Sequence, residues 1–433
     1  MNVFPRLRVR WVIFGYMAAF AFMAYMQRST LSVAAEKIMP ELQLSQVQIG
    51  WLMWAFVLTY AVFQMPSGAV GQVVGARRAY TALSLISFIA IMMTPIAPWL
   101  FGGAVLFVVL LLAQALLGLA QSMVFPMFAG VAEAWFPPRR WALVNGLQTA
   151  GMNIGAAMTP PLIVYLEHGY GWQGALLWLG VPTILLTLAW AWYGRDTPRQ
   201  HPNVDREELA ELGEVATEAR PPLTRARLLL IARNRHVLLL AFSYLCMNYA
   251  FYLLQNWCFL YLVQERGFSG LQSGIAAMLP PLGAAVGSIS GGYLTDRLAQ
   301  RYGARIGYRL VPYVALPAAA ALLLAAVNVD SAYVAVGALA LAFAAVELTE
   351  GPYWAATMCV ARADAAAATG LLNTGGNAGG LIGIPIVAYL SAQGAWSAAF
   401  ETGAVLAIVA AVTWIWVDAS DVMEPQTHIA TND

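Results

Sequence analysis

Twelve apolar stretches, each long enough to cross a bilayer as a helix, constrain this chain more than any other feature. A crossing helix needs ~20 predominantly apolar residues. Such windows fall at roughly 11–35, 47–73, 79–98, 101–134, 142–166, 173–193, 236–263, 272–296, 309–328, 332–359, 367–391 and 397–417. With 10% charged residues, against about 25% in soluble domains, the expected class is an all-α integral membrane protein. Of the 23 Lys and Arg, 20 fall in one set of loops and the termini; Lys37 and Arg266 lie in the opposite loops, and Arg28 lies inside a span. The positive-inside bias then puts both termini in the cytoplasm. Arg6, Arg8 and Arg10 before the first apolar run, with Ser32-Val33-Ala34 after it, imitate a cleavable signal peptide. The run has a counterpart in the second half, so it is read as a retained span.

The chain repeats itself. Residues 145–166 and 369–390 match at eight of 22 positions with an offset of 224, including Gly151/Gly375, Asn153/Asn377, Gly155/Gly379, Pro161/Pro385 and Tyr165/Tyr389. The same offset carries Tyr25 onto Tyr249, Gly68 onto Gly292 and Arg77 onto Arg301. The expected division is therefore a six-helix bundle at 1–193, a cytoplasmic linker at 194–235, a second six-helix bundle at 236–417 and a tail at 418–433. The interval 195–235 mixes seven acids with eight Arg and carries Pro198, Pro202, Pro221 and Pro222. It reads as a solvated linker with an amphipathic helix around 205–218, and the tail as disordered. Glycines at 151 and 155, and at 375, 379 and 383, give small faces that let backbones approach, either for helices that rock or for ordinary tight packing.

Arg28 stands about 18 residues into the first span, roughly 27 Å from its start at ~1.5 Å per residue. A charge at that depth costs at least ~2.5–3.5 kcal/mol and marks a functional site by default. We read it as an anion hook whose planar fork suits a carboxylate; the alternative is a structural pairing with a Glu. Glu347 and Glu350 are the carboxylates placed inside a span, at i and i+3 on one helix face, with Pro352 able to kink the helix.

Enzymatic chemistry finds little support. The single lysine, Lys37, stands in a loop, so no lysine-bearing phosphate loop can form. The four histidines, His168, His201, His236 and His428, lack metal-ligand spacing, no Gly-x-Ser-x-Gly elbow occurs, and Cys246, Cys258 and Cys359 all lie in apolar segments. No cofactor, metal or nucleic-acid partner is expected; the lipid bilayer is.

Several motifs resemble the major facilitator superfamily, and within it the anion:cation symporter family that handles sugar acids and other organic anions. The superfamily's loop signature, Gly-x-x-x-Asp-Arg-x-Gly-x-Arg-Arg, is similar to Gly68-Ala-Val-Gly-Gln72-Val73-Val-Gly75-Ala-Arg77-Arg78 and, in the second half, to Gly292-Tyr-Leu-Thr-Asp296-Arg297. Family-level marks are Trp135-Phe136-Pro137-Pro138-Arg139-Arg140, Asn248-Tyr249-x-x-Tyr252 and Asn373-x-x-x-Asn377-x-Gly379-Gly380. The resemblance implies twelve helices in two pseudo-symmetric halves, a site between them near the midplane, and transport by alternating access of a small organic anion. It also implies a cavity lined by helices 1, 4, 7 and 10, with Gly68, Arg77, Arg78, Asp296, Arg297 and Arg301 as gating residues. A bacterial inner membrane and a monomer are expected.

The departures are specific. Where the family has Asn-Tyr-x-Asp-Arg, this chain has Ala24-Tyr25-Met26-Gln27-Arg28, and where it has Arg-x-x-x-Gly-x-x-Glu, this chain has Gln114 and Gln121 around Gly118. The carboxylates that carry the coupling proton in relatives have become amides, which puts symport by the usual residues in doubt. Glu347 and Glu350 could replace them as coupling groups, balance Arg28 statically, or sit at a helix end in solvent. Tyr25, Tyr60, Gln64, Tyr249, Tyr252, Asn256, Trp257, Tyr353, Trp354, Asn373 and Asn377 complete the candidate cavity. Facilitated diffusion or exchange, and a transport-deficient sensor or scaffold, stand as alternatives to active transport.

Overall fold

The computed structural model describes residues 8–136, 141–212, 225–361 and 365–423. Among these residues every regular element is a helix. The first half contains α1 (Val9–Leu42), α2 (Gln46–Val74), α3 (Ala76–Leu100), α4 (Gly103–Gln121), α5 (Val124–Trp135) and α6 (Trp141–Tyr193). Two short helices follow, α7 (Arg206–Leu212) and α8 (Arg225–Arg233). The second half contains α9 (Arg235–Gln264), α10 (Gly270–Asn328), α11 (Ala332–Glu347), α12 (Glu350–Ala361), α13 (Ala365–Ala392) and α14 (Trp396–Thr413), the last continued by a 3₁₀ turn at Trp414–Trp416.

These elements make twelve membrane-length passages among the described residues. α6 and α10 hold two passages each, folded at Gly171 (φ 68°, ψ 172°) and Gly303 (φ 77°, ψ 167°). Both conformations lie at positive φ, where a Cβ is unfavourable. The sequence windows left loops at 167–172 and 297–308; the helices in fact run up to one glycine. Conversely, the fourth and tenth passages, expected to be continuous, are each broken, into α4/α5 at 122–123 and α11/α12 at 348–349. Pro126 and Pro352 stand third in the new helices, where a missing N–H leaves no helical bond unmade.

Within each half the glycines bring helices together. An added Cβ at Gly155 would lie 2.5 Å from the Phe22 carbonyl oxygen of α1, and one at Gly379 2.3 Å from the Leu245 carbonyl oxygen of α9. The glycine faces are therefore tight packing inside a half, not the surface on which the halves meet. That seam runs between α1 and α9, α2 and α13, and α6 and α10. Towards the end of the bundle away from the termini it is close-fitting: Gly50 faces Ala388, and Gly274 faces Pro160 and Pro161. Gln255 Nε2 donates to Ser29 Oγ at 2.9 Å, Trp54 Nε1 to the Leu381 carbonyl at 3.0 Å, and the Ser32 hydroxyl to the Asn256 carbonyl.

The linker departs from expectation. Its first part is docked: Pro198, His201 and Glu208 are buried. Glu208 of α7 accepts from the Val9 and Arg10 amides at 3.2 and 2.9 Å and from Arg10 Nε at 3.0 Å. An acid at a helix N-terminus satisfies orphan donors and favours the dipole. The predicted helix ends at Leu212; residues 213–224 lie outside the described set. In the tail, Asp418 and Asp421 are held by His236 at 3.1 and 2.9 Å, and Met423 donates to the Val360 carbonyl at 2.9 Å. Residues 418–423 are thus packed; 424–433 lie outside the described set.

Candidate functional site

Arg28 projects from the middle of α1 into a nest of aromatic rings. Its guanidinium carbon stands 5.2 Å from the Tyr252 centroid, 5.3 Å from Phe56, 5.6 Å from Tyr25 and 5.7 Å from Tyr60. The ring faces attract the cation, but they accept no planar hydrogen bonds. Among the described residues Arg28 has no ion-pair partner, and its Nη2 is buried without a hydrogen-bond partner. That arm of the fork, Nη2, is left free for a ligand.

A chain of neutral polar groups links the rings. Tyr252 donates its hydroxyl to Asn377 Oδ1 at 3.0 Å. Asn377 Nδ2 and Asn373 Nδ2 donate to Gln64 Oε1 at 3.3 and 2.7 Å, and Gln64 Nε2 donates to the Tyr60 hydroxyl at 3.3 Å. This chain crosses the seam, from α9 and α13 to α2. The structure therefore gathers Tyr25, Tyr60, Gln64, Tyr252, Asn373 and Asn377 around Arg28.

Three expected lining residues, Tyr249, Tyr353 and Trp257, make their contacts elsewhere. Tyr249 bonds Thr402 at 2.9 Å, and Tyr353, fully buried, bonds Ser243 at 2.6 Å and packs on Tyr244 and Trp414. Asn256 contributes its carbonyl to the seam, and Trp257 packs beside Gly50. Tyr249 and Tyr252, at i and i+3, leave α9 about 60° apart, and only Tyr252 reaches Arg28.

The acids of the tenth passage flank the break between α11 and α12. Glu350 Oε1 accepts from the Tyr244 hydroxyl and from Trp354 Nε1, both at 2.7 Å. Glu347 is 6% exposed and, among the described residues, has no hydrogen-bond or ion-pair partner. Neither acid pairs with Arg28, which argues against static charge balance by direct contact. The amides at the departed positions form their own network: Gln121 Nε2 donates to Gln27 Oε1 at 3.2 Å, and Gln27 Nε2 to Thr183 Oγ1 at 2.9 Å. Beside them is a cavity of about 30 Å³ with Ser84 and Ser87 in its wall, room for a water.

The gating candidates divide. Arg77 donates to the Ala191 carbonyl at 2.9 and 2.6 Å, closing the end of α6, while the Asp196 carboxylate accepts the Arg77 amide at 2.7 Å. In the second half the corresponding corner is tied by Arg305 Nε on Asp418 at 3.1 Å and by Arg309 Nε on the Val417 carbonyl. Gly75 and Gly303 both adopt positive φ and precede Arg77 and Arg305 by two residues, so the mate of Arg77 is Arg305, not Arg301. The second-half loop is one helical turn longer, which the constant offset concealed. Arg301 and Arg297 are exposed and lie over the rings of Tyr302 and Tyr293, and Asp296 and Arg78 are exposed. The surroundings of Gly68, Gln72 and Val73, and residues 137–140, lie outside the described residues.

Among the described residues, twelve membrane-length passages in two halves that meet beside Arg28, whose Nη2 is buried without a hydrogen-bond partner, are the layout of a multi-pass membrane transporter. The pattern of the Major Facilitator Superfamily matches residues 17–367, and the chain belongs to that superfamily. It is similar to a probable sulfoacetate transporter of Cupriavidus necator, 29% identical over 89% of this chain and 88% of that one. It is also similar to a probable galactarate/D-glucarate transporter and a hexuronate transporter of Bacillus subtilis, each 26% identical, over 94% and 90% of this chain and 91% and 90% of theirs. These relatives are transporters, not enzymes. The fold matches an inward-facing, unoccupied bacterial homologue of the human lysosomal transporter Spinster, with a TM-score of 0.75 at 18% identity, over 96% of this chain and 99% of that one.

Proposed function

We propose that this protein is a secondary transporter of a small organic acid, a carboxylate, sulfonate or sugar acid, in a bacterial inner membrane with both termini cytoplasmic. The observation that carries this reading is Arg28, half-buried at the seam, with a buried, partnerless Nη2 and, among the described residues, no carboxylate partner. Leaving such a group without an anion is costly, and an entering acid supplies the partner. The named relatives add support, since each is named for an acid. With the termini inside, the close-fitting end of the seam faces outward, so the site communicates with the cytoplasm in this conformation. Loosening Gly50/Ala388 and Gly274/Pro161 while closing the opposite end would expose Arg28 outward.

Binding an anion changes the charge of a cavity that also holds Glu347 and Glu350, and the pair answers by taking a proton. Glu347→Gln and Glu350→Gln should then abolish pH-driven accumulation and spare exchange. A facilitative mechanism is the second reading, favoured by the Gln27–Gln121–Thr183 network, which holds no titratable group. Accumulation by both glutamine variants would select it. The binding claim is tested by thermal stability of the purified protein with sugar acids, dicarboxylates and sulfonates, with Arg28→Ala in parallel. A class that stabilises wild type and not the variant supports the reading; stabilisation only by neutral or cationic compounds overturns it.

A further inference from the structure

The seam holds two opposite charges that do not meet. Arg28 has a free Nη2 on one wall. Glu347, 6% exposed, stands unpartnered on the other. Arg28 lies against the Tyr252 ring and Glu350 accepts from the Tyr244 hydroxyl, so the cation and the acids stand along one face of α9. Glu347 has no hydrogen-bond partner among the described residues, and a protonated carboxyl would itself be a donor in need of one. Glu350 differs, since Tyr244 and Trp354 already donate to it.

From these placements we infer that the preferred substrate carries both charges, an acid group for Arg28 and an ammonium group for Glu347. The inference rests on the organic-acid reading above and narrows it to amino acids whose two charges are separated by a short carbon chain. A bare anion must draw a proton into the cavity, whereas a zwitterion brings its own cation and leaves the cavity charge unchanged. Aromatic groups beside the acids, Tyr244 and Trp354, suit the flank of an ammonium group.

α9 supplies the ruler. Tyr244, Asn248 and Tyr252 recur at i, i+4 and i+8 on one face, with Tyr244 at Glu350 and Tyr252 at Arg28. Eight residues at ~1.5 Å span ~12 Å. The tenth passage runs antiparallel to α9, so Glu347 stands about one turn nearer Arg28 than Glu350 does, leaving roughly 7 Å along the axis. That gap favours a three- to four-carbon spacer over an α-amino acid.

The test measures binding to the purified full-length protein of 4-aminobutanoate, butanoate and butylamine, with 3-aminopropanesulfonate as the sulfonate arm. Wild type should bind a zwitterion at least tenfold more tightly than butanoate, and butylamine not at all. Glu347→Gln should erase that preference while retaining butanoate binding, and Arg28→Ala should lose both acids. The cooperative melting of each variant is the check that it is folded, and Glu347→Asp, which keeps the charge, should retain the preference. In proteoliposomes, butanoate uptake should move protons and 4-aminobutanoate uptake should not. Equal affinity for butanoate and 4-aminobutanoate, or a preference that survives Glu347→Gln, overturns the zwitterion site and leaves the organic-acid reading standing. Failure of every organic acid to bind, zwitterions included, overturns both.

Discussion

Replacing Gly50 by Ala places a methyl group in the tightest part of the seam between the halves. A Cβ at Gly50 would lie 2.4 Å from the Ala388 Cβ, with Trp257 Cζ2 at 3.7 Å and Ala388 Cα at 3.8 Å. Ordinary carbon contacts lie at ≈ 3.5–4.0 Å, so α2 and α13 must part by more than an ångström here. Overpacking of this kind costs about 1–3 kcal/mol. Because the contact exists only while the outer end is shut, the cost falls on that state alone. At about 1.4 kcal/mol per tenfold, the population with the outer end open should rise by roughly 5- to 150-fold. Cys258 lies in the same seam, beside Ser29, Ser32 and Pro160, and reports the opening. In a Cys246→Ala, Cys359→Ala background, a membrane-impermeant maleimide added from outside should label Cys258 faster in Gly50→Ala by about that factor. Ala388→Gly removes the 2.4 Å partner and should restore the slow rate. An unchanged labelling rate in Gly50→Ala, or no rescue by Ala388→Gly, would refute the argument that this contact holds the outer end closed.

Other outcomes follow from the docked segments. Glu208→Ala removes three hydrogen bonds from the buried start of α1 and should cost about 3 kcal/mol or more, read as a lower melting temperature; a melting temperature within a degree of wild type would contradict it. His201 is held below its usual pKa first by burial and then by Arg195. The docked form therefore binds fewer protons than the undocked one, so docking weakens as pH falls below ~6.5 and stops weakening beneath the lowered value. Hydrogen exchange across 198–212 should gain protection between pH 5.5 and 7.5 after correction for intrinsic rates, and the gain should vanish in His201→Phe. Arg77→Ala frees the Ala191 carbonyl and should lower thermal stability by about 1–3 kcal/mol, whereas Arg301→Ala, at an exposed side chain, should leave it within about 0.5 kcal/mol.

The passage count and the placement of Arg28 within a span were legible because bilayer crossing imposes a length and an intramembrane charge stands out against it. Asn373 and Asn377 were legible because a motif spacing placed them, and Tyr60 and Gln64 as polar side chains within a span. Facing directions were not: Tyr249 and Tyr252 leave α9 only about 60° apart, and nothing in their spacing says which of them meets Arg28. The Arg77–Arg301 pairing failed because one extra turn shifts the register between two halves that otherwise share one offset. The linker misled because its composition is that of a solvated segment, while Glu208 and His201 acquire their burial from partners far away in sequence. The helix breaks at 122–123 and 348–349 had a signal in Pro126 and Pro352, since a proline third in a helix is what a restart requires.

The central claim is that Arg28 receives the acid group of a transported organic acid. Uptake of radiolabelled acids into proteoliposomes by wild type and by Arg28→Lys tests it most directly, because lysine keeps the charge and loses the planar fork. Wild type should show saturable uptake of at least one acid, and Arg28→Lys, still folded, should lose tenfold or more in apparent affinity. Equal affinity in the two proteins would contradict a bidentate contact, and uptake indifferent to Arg28→Ala as well would remove Arg28 from the substrate site.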